Sequence, residues 1–308
     1  MFKKLLLVGA ALAVTTAAAA AKDLKSIGIT VGSLGNPFFI AVVKGATDQA
    51  KQINPNVKIV TASAEYDLGK QSTQMDNFIA SGVDMILVNA ADPKAIGPAV
   101  KRAENAGIVV VAVDVAAAGA DATVMTNNTQ AGQIACQYLA QKIGGKGSVV
   151  IENGPQVSSV IDRVKGCKDE LAKSPGIKLL DSSQDAKGSR DGGLNVMQGY
   201  LTRYQDLAGV FAINDPQAIG SDLAAKQLNR SGIVITSVDG APDIVGALKG
   251  NTGVQASASQ DPYTMGKMAV QIGDEILNGK KPENPMVLME SKLVTRDNVG
   301  SYQGWTSH

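Results

Sequence analysis

The sequence has few of the side chains that most often perform acid–base or metal chemistry. Its 308 residues include one histidine, the terminal His308, and two cysteines, Cys136 and Cys167. A Ser–His–Asp triad and a histidine general base are thereby nearly excluded, and two cysteines cannot form a four-cysteine zinc site. The sequence also contains neither a nucleophile elbow, G-x-S-x-G, nor a dinucleotide fingerprint, G-x-G-x-x-G. It therefore gives little support to an enzyme, a metal site or a cofactor.

The chain also has no large excess of positive or negative charge. The chain carries 29 basic and 28 acidic residues, which gives a formal net charge of +1. Such a balance offers no positive surface for a phosphate backbone, so we expect no nucleic-acid partner. Hydrophobic residues make up 44% of the chain and charged residues 19%, as in ordinary globular proteins, and the length allows two domains.

The sequence has no apolar run as long as a membrane-spanning helix, and its longest apolar segment lies at the amino terminus. Lys3 and Lys4 precede an apolar segment at 5–14 and a run of small residues that ends at Ala21. This order is typical of a cleaved secretory signal peptide, here residues 1–21, and the apolar segment is shorter than the roughly 20 residues that span a bilayer. We therefore expect an exported, periplasmic protein.

After residue 25, short β-branched apolar segments alternate with amphipathic segments of helical length. Strands are predicted at 26–31, 57–62, 85–88, 108–113, 148–152, 178–181, 210–213 and 233–238, and helices at 38–53, 70–81, 96–106, 129–143, 160–172, 192–204, 218–228 and 243–249. Continuously apolar strands between helices indicate parallel sheets covered on both faces. Two successive βαβαβ halves predict an α/β fold of two doubly wound parallel-sheet lobes, with 123–125 as a short connecting strand.

Amides, carboxylates and aromatic rings follow the predicted strands at their carboxyl ends, where open parallel sheets bind ligands. The side chains of this kind are Asn36, Phe38, Phe39, Asn89, Asp114, Asn214, Asp239 and Gln260. Amides and carboxylates bind hydroxyl groups, and aromatic faces cover the C–H face of a sugar ring, so the set favours a neutral polyhydroxylated ligand. Two alternatives remain open: each Asp or Asn could cap the following helix, and the glycines of 32–35 could bind a phosphate.

The segments that carry these residues resemble the periplasmic sugar-binding proteins of the ribose-binding type, the ligand-capturing components of ABC importers. The most specific segments are Asn-Pro-Phe-Phe at 36–39, Val-Asp at 113–114, Gly-Leu-Asn-Val-Met-Gln at 193–198, Phe-Ala-Ile-Asn-Asp at 211–215 and Val-Asp-Gly at 238–240. The resemblance, which extends from 25 to about 295, implies two lobes joined by three crossovers with the sugar between them. The expected lobes are 22–126 plus 261–290 and 127–260 plus 291–308.

The resemblance also implies which side chains contact the ligand. In the first lobe they are Asn36, Phe38, Phe39, Asn89 and Asp114, and in the second lobe and hinge they are Arg163, Asn214, Asp239 and Gln260. Taken without the resemblance, Arg163 reads as a solvated charge on a helix. Ribose itself is not implied, because Val115 replaces an arginine common in the family, while Val238 and segment 187–189 lack expected aromatic rings. Whether Tyr66 supplies an aromatic face instead stays open.

The leading hypothesis is a monomeric, non-enzymatic protein that binds a neutral monosaccharide or polyol and delivers it to the membrane permease of an ABC importer. One alternative is an exported receptor for a small signal molecule or another polar solute. Another is an exported carbohydrate-active enzyme that uses Asp114 and Asp239 as its paired carboxyls. We also expect a Cys136–Cys167 disulfide, because paired cysteines of exported proteins favour a bridge, although two unpaired buried thiols are an alternative.

Overall fold

The computed structural model describes residues 23–306, so the predicted signal peptide at 1–21 and His308 lie outside the described residues. The strands are β1 (Ser26–Val31), β2 (Lys58–Ser63), β3 (Met85–Val88), β4 (Val109–Val113), β5 (Ala122–Thr126), β6 (Lys146–Glu152), β7 (Gly176–Asp181), β8 (Leu207–Ala212), β9 (Val234–Asp239), β10 (Val254–Ser259), β11 (Met286–Met289) and β12 (Lys292–Thr295). The helices are α1 (Pro37–Ile53), α2 (Leu68–Ala80), α3 (Gly97–Asn105), α4 (Asn128–Lys142), α5 (Ser158–Leu171), α6 (Arg190–Arg203), α7 (Asp215–Gln227), α8 (Pro242–Lys249) and α9 (Pro262–Leu277), followed by a 3₁₀ turn at Gly304–Thr306.

Two six-stranded sheets form the two lobes. Their strand orders are β11-β5-β4-β3-β1-β2 and β12-β10-β9-β8-β6-β7. All pairings are parallel except that of β12 with β10, which is antiparallel. The predicted fold class is therefore confirmed, with one correction: β5 is an inner strand of the first sheet, whereas the sequence suggested a connecting strand.

Burial on both faces explains why the central strands are almost continuously apolar. Every residue of β3 and β4 is buried, whereas the edge strands β2 and β7 are partly exposed. In the first lobe, α1 and α9 cover one face of the sheet and α2 and α3 cover the other. In the second lobe, α4 and α5 cover one face, while α6, α7 and α8 cover the opposite face.

The chain passes between the sheets three times, after β5, after β10 and between β11 and β12. Hydrogen bonds join the three crossing segments to one another. Thr126 Oγ1 donates to Gln260 Oε1 at 2.6 Å, which links the first segment to the second. The Gln130 side chain exchanges two hydrogen bonds of 2.9 Å with the backbone of Ser291, which links the first to the third. The crossovers therefore form one connected hinge.

Helices α4 and α5 are joined by the expected disulfide between Cys136 and Cys167, whose Cα atoms lie 5.1 Å apart. Two glycines allow the helices this close approach. A Cβ atom at Gly132 would come within 2.1 Å of the Arg163 carbonyl oxygen, and one at Gly166 would come equally near the carbonyl oxygen of Thr129. Any side chain at either position would push the helices apart. The disulfide prediction is confirmed.

Glu152 places an acidic group in the core of the second lobe. Its side chain, at the end of β6, is fully buried, and neither carboxyl oxygen has a hydrogen-bond partner among the described residues. Burial raises the pKa of Glu152 to about 8. Ser221, whose hydroxyl would lower that pKa, donates to the carbonyl oxygen of Gln217 at 3.0 Å. The folded protein therefore holds Glu152 protonated near neutral pH.

As pH rises, the Glu152→Gln variant is expected to lose less folding stability than the wild type. Between pH 4.5 and about 8 the unfolded chain has released this proton and the folded chain retains it. The wild-type free energy of unfolding should therefore fall by up to about 1.4 kcal/mol per pH unit in that window, and the Glu152→Gln protein should show a flatter slope. Urea unfolding from pH 4 to 9 measures both, with Glu283→Gln at an exposed site as the control. Equal slopes in wild type and Glu152→Gln would contradict the assignment.

Removing the disulfide is expected to destabilise the protein. For the sequence separation of 31 between Cys136 and Cys167, the chain-entropy model gives a loss of about 3–4 kcal/mol. The free energy of unfolding of a Cys136→Ser/Cys167→Ser double variant tests this, and thiol counting on the unreduced, unfolded wild type is the control. Two free thiols in the wild type would show that the bridge does not form.

Candidate functional site

The carboxyl ends of the strands of both sheets border one cavity between the lobes. All nine predicted site residues line it, namely Asn36, Phe38, Phe39, Asn89, Asp114, Arg163, Asn214, Asp239 and Gln260. The strand-end pattern and the resemblance thus identified residues that the fold brings together. Their contact with a ligand stays a prediction.

Asp114 presents an unpaired acceptor to this cavity. It follows β4 with a left-handed backbone φ of 65°, and its Oδ2 accepts a hydrogen bond of 2.9 Å from Asn89 Nδ2. Asn89 is held in turn by the backbone N–H of Gly32, which donates to Asn89 Oδ1 at 3.0 Å. Asp114 Oδ1 is buried and has no partner within residues 23–306. Burial raises the pKa of Asp114 to about 6, against the opposing effects of Arg163 and Asn89.

Asp239, at the end of β9, faces the cavity from the second lobe and is connected to the hinge. Its Oδ1 accepts a hydrogen bond of 2.7 Å from Gln260 Nε2. Trp305 Nε1 donates to the carbonyl oxygens of Asp239 and Gln260, at 3.0 and 3.1 Å. Burial raises the pKa of Asp239 well above its ordinary value, and the neighbouring Asp215 raises it further, while Arg163 opposes both. Sequence reasoning did not identify Trp305, whose uniqueness in the chain was the available signal.

Arg163 lies between the two lobes' carboxyl groups with 4% of its surface exposed, which rules out the solvated helix charge that the sequence alone suggested. Its Nε donates to Asn128 Oδ1 at 2.8 Å, and its Nη1 donates to the carbonyl oxygen of Ile213 at 2.9 Å. Nη1 also lies 3.7 Å from Asp239 Oδ1. Nη2 makes no hydrogen bond with any described residue and is free to donate to a ligand.

Two of the predicted ligand-binding asparagines also cap helices. Asn36 Oδ1 accepts from the backbone N–H of Phe38 at 2.9 Å and caps α1. Asn214 Oδ1 accepts from the backbone N–H of Gln217 at 3.1 Å and caps α7, while its Nδ2 donates to the carbonyl oxygen of Gly188 at 2.9 Å. The capping alternative therefore describes both residues. Asn36 keeps a free amide nitrogen at the cavity, whereas both polar atoms of Asn214 are already engaged.

Aromatic rings form the first lobe's wall of the cavity. Phe38 and Phe39 are both buried and meet edge to face, with ring centroids 5.4 Å apart. Phe38 also packs against Trp305, and Phe39 packs against Tyr66, with centroid distances of 5.7 and 6.4 Å. Tyr66, whose role the sequence left open, lines the cavity as well. These rings supply the apolar faces that a sugar ring or polyol chain requires.

The second lobe contributes apolar and hydroxyl groups that sequence reasoning missed. Val157, Val160 and Ile213 line the cavity together with Ser159. Next to them, the backbone N–H of Ala116 in the first lobe donates to Ser158 Oγ in the second lobe at 2.9 Å. Valine and serine at the start of a helix carry no sequence signal of their own. Their position depends on how the two lobes meet.

A third carboxyl group lies behind Asp239. Asp215 accepts hydrogen bonds from the hydroxyls of Ser237 and Ser257, at 2.5 and 2.6 Å, and from the backbone N–H of Ala241 at 2.7 Å. Burial raises the pKa of Asp215 to about 6. Asp114, Asp215 and Asp239 thus surround one guanidinium, and an anionic ligand would meet more negative than positive charge.

Within residues 23–306, no cluster of three or more His, Cys, Asp or Glu side chains is arranged to hold a metal ion. Over the same residues, none of the helices is both long and apolar enough to cross a membrane.

Comparisons with known proteins identify the family. The sequence profile of the periplasmic binding protein domain matches residues 27–281. The ribose import binding protein of Bacillus subtilis (strain 168) is 33% identical over 262 residues, which cover 83% of each chain. The xylitol-binding protein of Mycolicibacterium smegmatis is 32% identical over 286 residues, which cover 91% of this chain and 80% of that protein.

Solved structures agree with these relatives. An ABC transporter periplasmic solute-binding protein from Actinobacillus succinogenes 130z, with bound D-allose, superposes with a TM-score of 0.82 and is 28% identical. The match covers 90% of this chain and 100% of that chain. The resemblance seen in the sequence is therefore confirmed, and the chain belongs to the periplasmic binding protein family, among the sugar-binding components of ABC importers.

Proposed function

We propose that this protein captures a neutral monosaccharide or polyol between its two lobes and delivers it to the permease of an ABC importer, without catalysing a reaction. The observation that carries the proposal is the cavity in which Asp114 of the first lobe faces Arg163 and Asp239 of the second. Ligand hydroxyls can donate to the two carboxylates and accept from the guanidinium only when the lobes are close together. The lobes divide at the three crossovers, near residues 126, 260 and 290.

The charge of the cavity supports a neutral ligand. Two carboxylates and one guanidinium border it, and the carboxylate of Asp215 lies directly behind. A sugar acid or a sugar phosphate would add a negative charge to this group, whereas hydroxyl groups use the same acceptors without repulsion. The relatives named above bind ribose, xylitol and D-allose, which are all neutral polyhydroxylated compounds.

A binding screen tests the proposal. Native mass spectrometry of the purified protein would detect a retained sugar, and thermal-shift measurements with ribose, xylitol, D-allose and myo-inositol would show which compound raises the melting temperature. The compound should be recovered chemically unchanged after incubation, which separates binding from the enzyme alternative. A screen in which no neutral sugar or polyol stabilises the protein would overturn the proposal.

Asp114→Asn is expected to weaken binding of the best neutral compound by about 10- to 150-fold, the range for a hydrogen bond to a charged group. The amide can still accept from Asn89, but it turns an N–H₂ group toward the cavity where the carboxylate offered Oδ1. Calorimetry measures the change, with Asp76→Asn at an exposed site as the control. Unchanged affinity would mean that the free carboxylate oxygen does not contact the ligand, and tighter binding of a sugar acid by the wild type would contradict a neutral ligand.

Ser158→Ala is expected to weaken binding through the closed arrangement rather than through ligand contact. The hydroxyl accepts the Ala116 N–H across the lobes and does not line the cavity. Losing one such hydrogen bond lowers affinity by about 2- to 13-fold. Ser174→Ala is the matched control.

Small-angle scattering should show a smaller radius of gyration when sugar binds the wild type, because contacts from both lobes favour closure. A radius that stays constant at saturation would count against closure.

A further inference from the structure

Tyr66 separates the cavity from a second, open groove at the mouth of the cleft. The groove is lined by Ser33, Glu65, Lys187, Ser189 and Arg190, among others, and shares Asn36, Tyr66 and Gly188 with the cavity. Because one aromatic ring borders both spaces, its position decides whether they are connected.

The backbone holds this ring in place. Glu65 and Tyr66 have φ values of 52° and 57°, so two successive non-glycine residues adopt the left-handed conformation that such residues disfavour. Tyr66 N donates to the carbonyl oxygen of Gly32 at 3.3 Å, and the ring lies directly against that glycine. A Cβ atom at Gly32 would come within 2.6 Å of the Tyr66 ring, so a side chain there would displace it.

Opposite the ring lies the backbone of Gly188 in the second lobe. Gly188 adopts a φ of 62°, and a Cβ atom built on it would lie 3.4 Å from Asn214 Nδ2 and 4.0 Å from the Tyr66 hydroxyl oxygen. Asn214 fixes this position, since its Nδ2 donates to the Gly188 carbonyl oxygen at 2.9 Å. The boundary between cavity and groove is therefore formed by the Tyr66 ring and Gly188, together with Asn36.

The hydroxyl of Tyr66 is available to a ligand. It makes no hydrogen bond with any other residue in the described range 23–306. Burial raises the pKa of the Tyr66 phenol, and the carboxylates of Asp114 and Asp239 raise it further, so the hydroxyl keeps its proton. It can therefore donate a hydrogen bond toward the cavity.

We propose that Tyr66 determines the specificity of this site: its ring closes the cavity against Gly188 and excludes ligands with a substituent on that side, while its hydroxyl donates to the bound compound. The inference rests on the proposed function, because it presupposes that the cavity binds a sugar or polyol. It predicts that unsubstituted monosaccharides are retained and that their methyl glycosides are rejected when the methyl group points toward Tyr66.

Binding kinetics of Tyr66→Ala and Tyr66→Phe test this assignment. The probes are ribose, D-allose and the two methyl glycoside anomers of each, with xylitol as an open-chain comparison. Trp305, the one tryptophan of the chain, donates to two carbonyl oxygens beside the cavity and serves as the fluorescent reporter in stopped-flow measurements. Tyr204→Phe, on a tyrosine outside the cavity, is the matched control, and circular dichroism verifies that each variant is folded.

Tyr66→Ala should raise the dissociation rate constant of the tightest-binding free sugar by about 10-fold or more, and should reduce the preference for the free sugar over its excluded glycoside by a similar factor. Tyr66→Phe should raise the dissociation rate constant by about 2- to 13-fold, as for one lost hydrogen bond, and should leave that preference unchanged because the ring remains. The Phe variant keeps the test decisive if the Ala variant does not fold.

The possible failures are distinguishable. Suppose that the wild type binds the free sugars. If Tyr66→Ala then keeps the preference for the free sugar over its glycoside, or Tyr66→Phe loses it, the assignment of Tyr66 is overturned and the proposed function stands. If the wild type binds no neutral sugar or polyol, the proposed function is overturned together with this inference.

Discussion

Arg163 is surrounded by acidic groups in a part of the protein from which water is largely excluded. Its charge lowers the pKa values of Asp114, Asp215 and Asp239, each of which burial raises. A guanidinium does not release its proton in proteins, so this compensation is present at every pH. Without it the pKa values of all three carboxyls would rise further, which would favour their protonated forms over the charged acceptors. The chemistry of the cavity therefore depends on the position of one side chain.

That position is fixed by the packing of α4 against α5. Asn128, the first residue of α4, accepts the hydrogen bond from Arg163 Nε, and Gly132, one turn later, lets the backbone of Arg163 approach closely. The disulfide joins the same two helices one turn beyond these contacts. The other lobe uses a similar device between α1 and α9, where Gly45 and Gly266 each meet the partner helix's backbone. Close helix pairs thus support the site in both lobes.

Features set by a local sequence pattern could be predicted from the sequence, whereas residue positions set by long-range packing could not. Parallel sheets gather the ends of their strands, so the pattern placed Asp114 and Asp239 each at the ligand-binding edge of its sheet, and the resemblance implied that the two edges face one cleft. The sequence could not show that both polar atoms of Asn214 are engaged by Gln217 and Gly188, because a cap and a ligand contact call for the same residue type. Trp305 comes from the far end of the chain to bond the backbone of Asp239 and Gln260 beside the cavity, which no local pattern reports.

The hydrogen bonds of Asp239 connect the cavity to the hinge. Gln260 donates to the Asp239 carboxylate and accepts from Thr126, so this chain of bonds passes through two of the three crossing segments. Trp305 joins the backbone of Asp239 and Gln260 to the ring of Phe38 in the first lobe. A ligand hydroxyl that donates to Asp239 shares its acceptor with the hinge. Coupling between two sites is reciprocal. If one hinge geometry raises the affinity for the ligand, the bound ligand must therefore raise the population of that geometry.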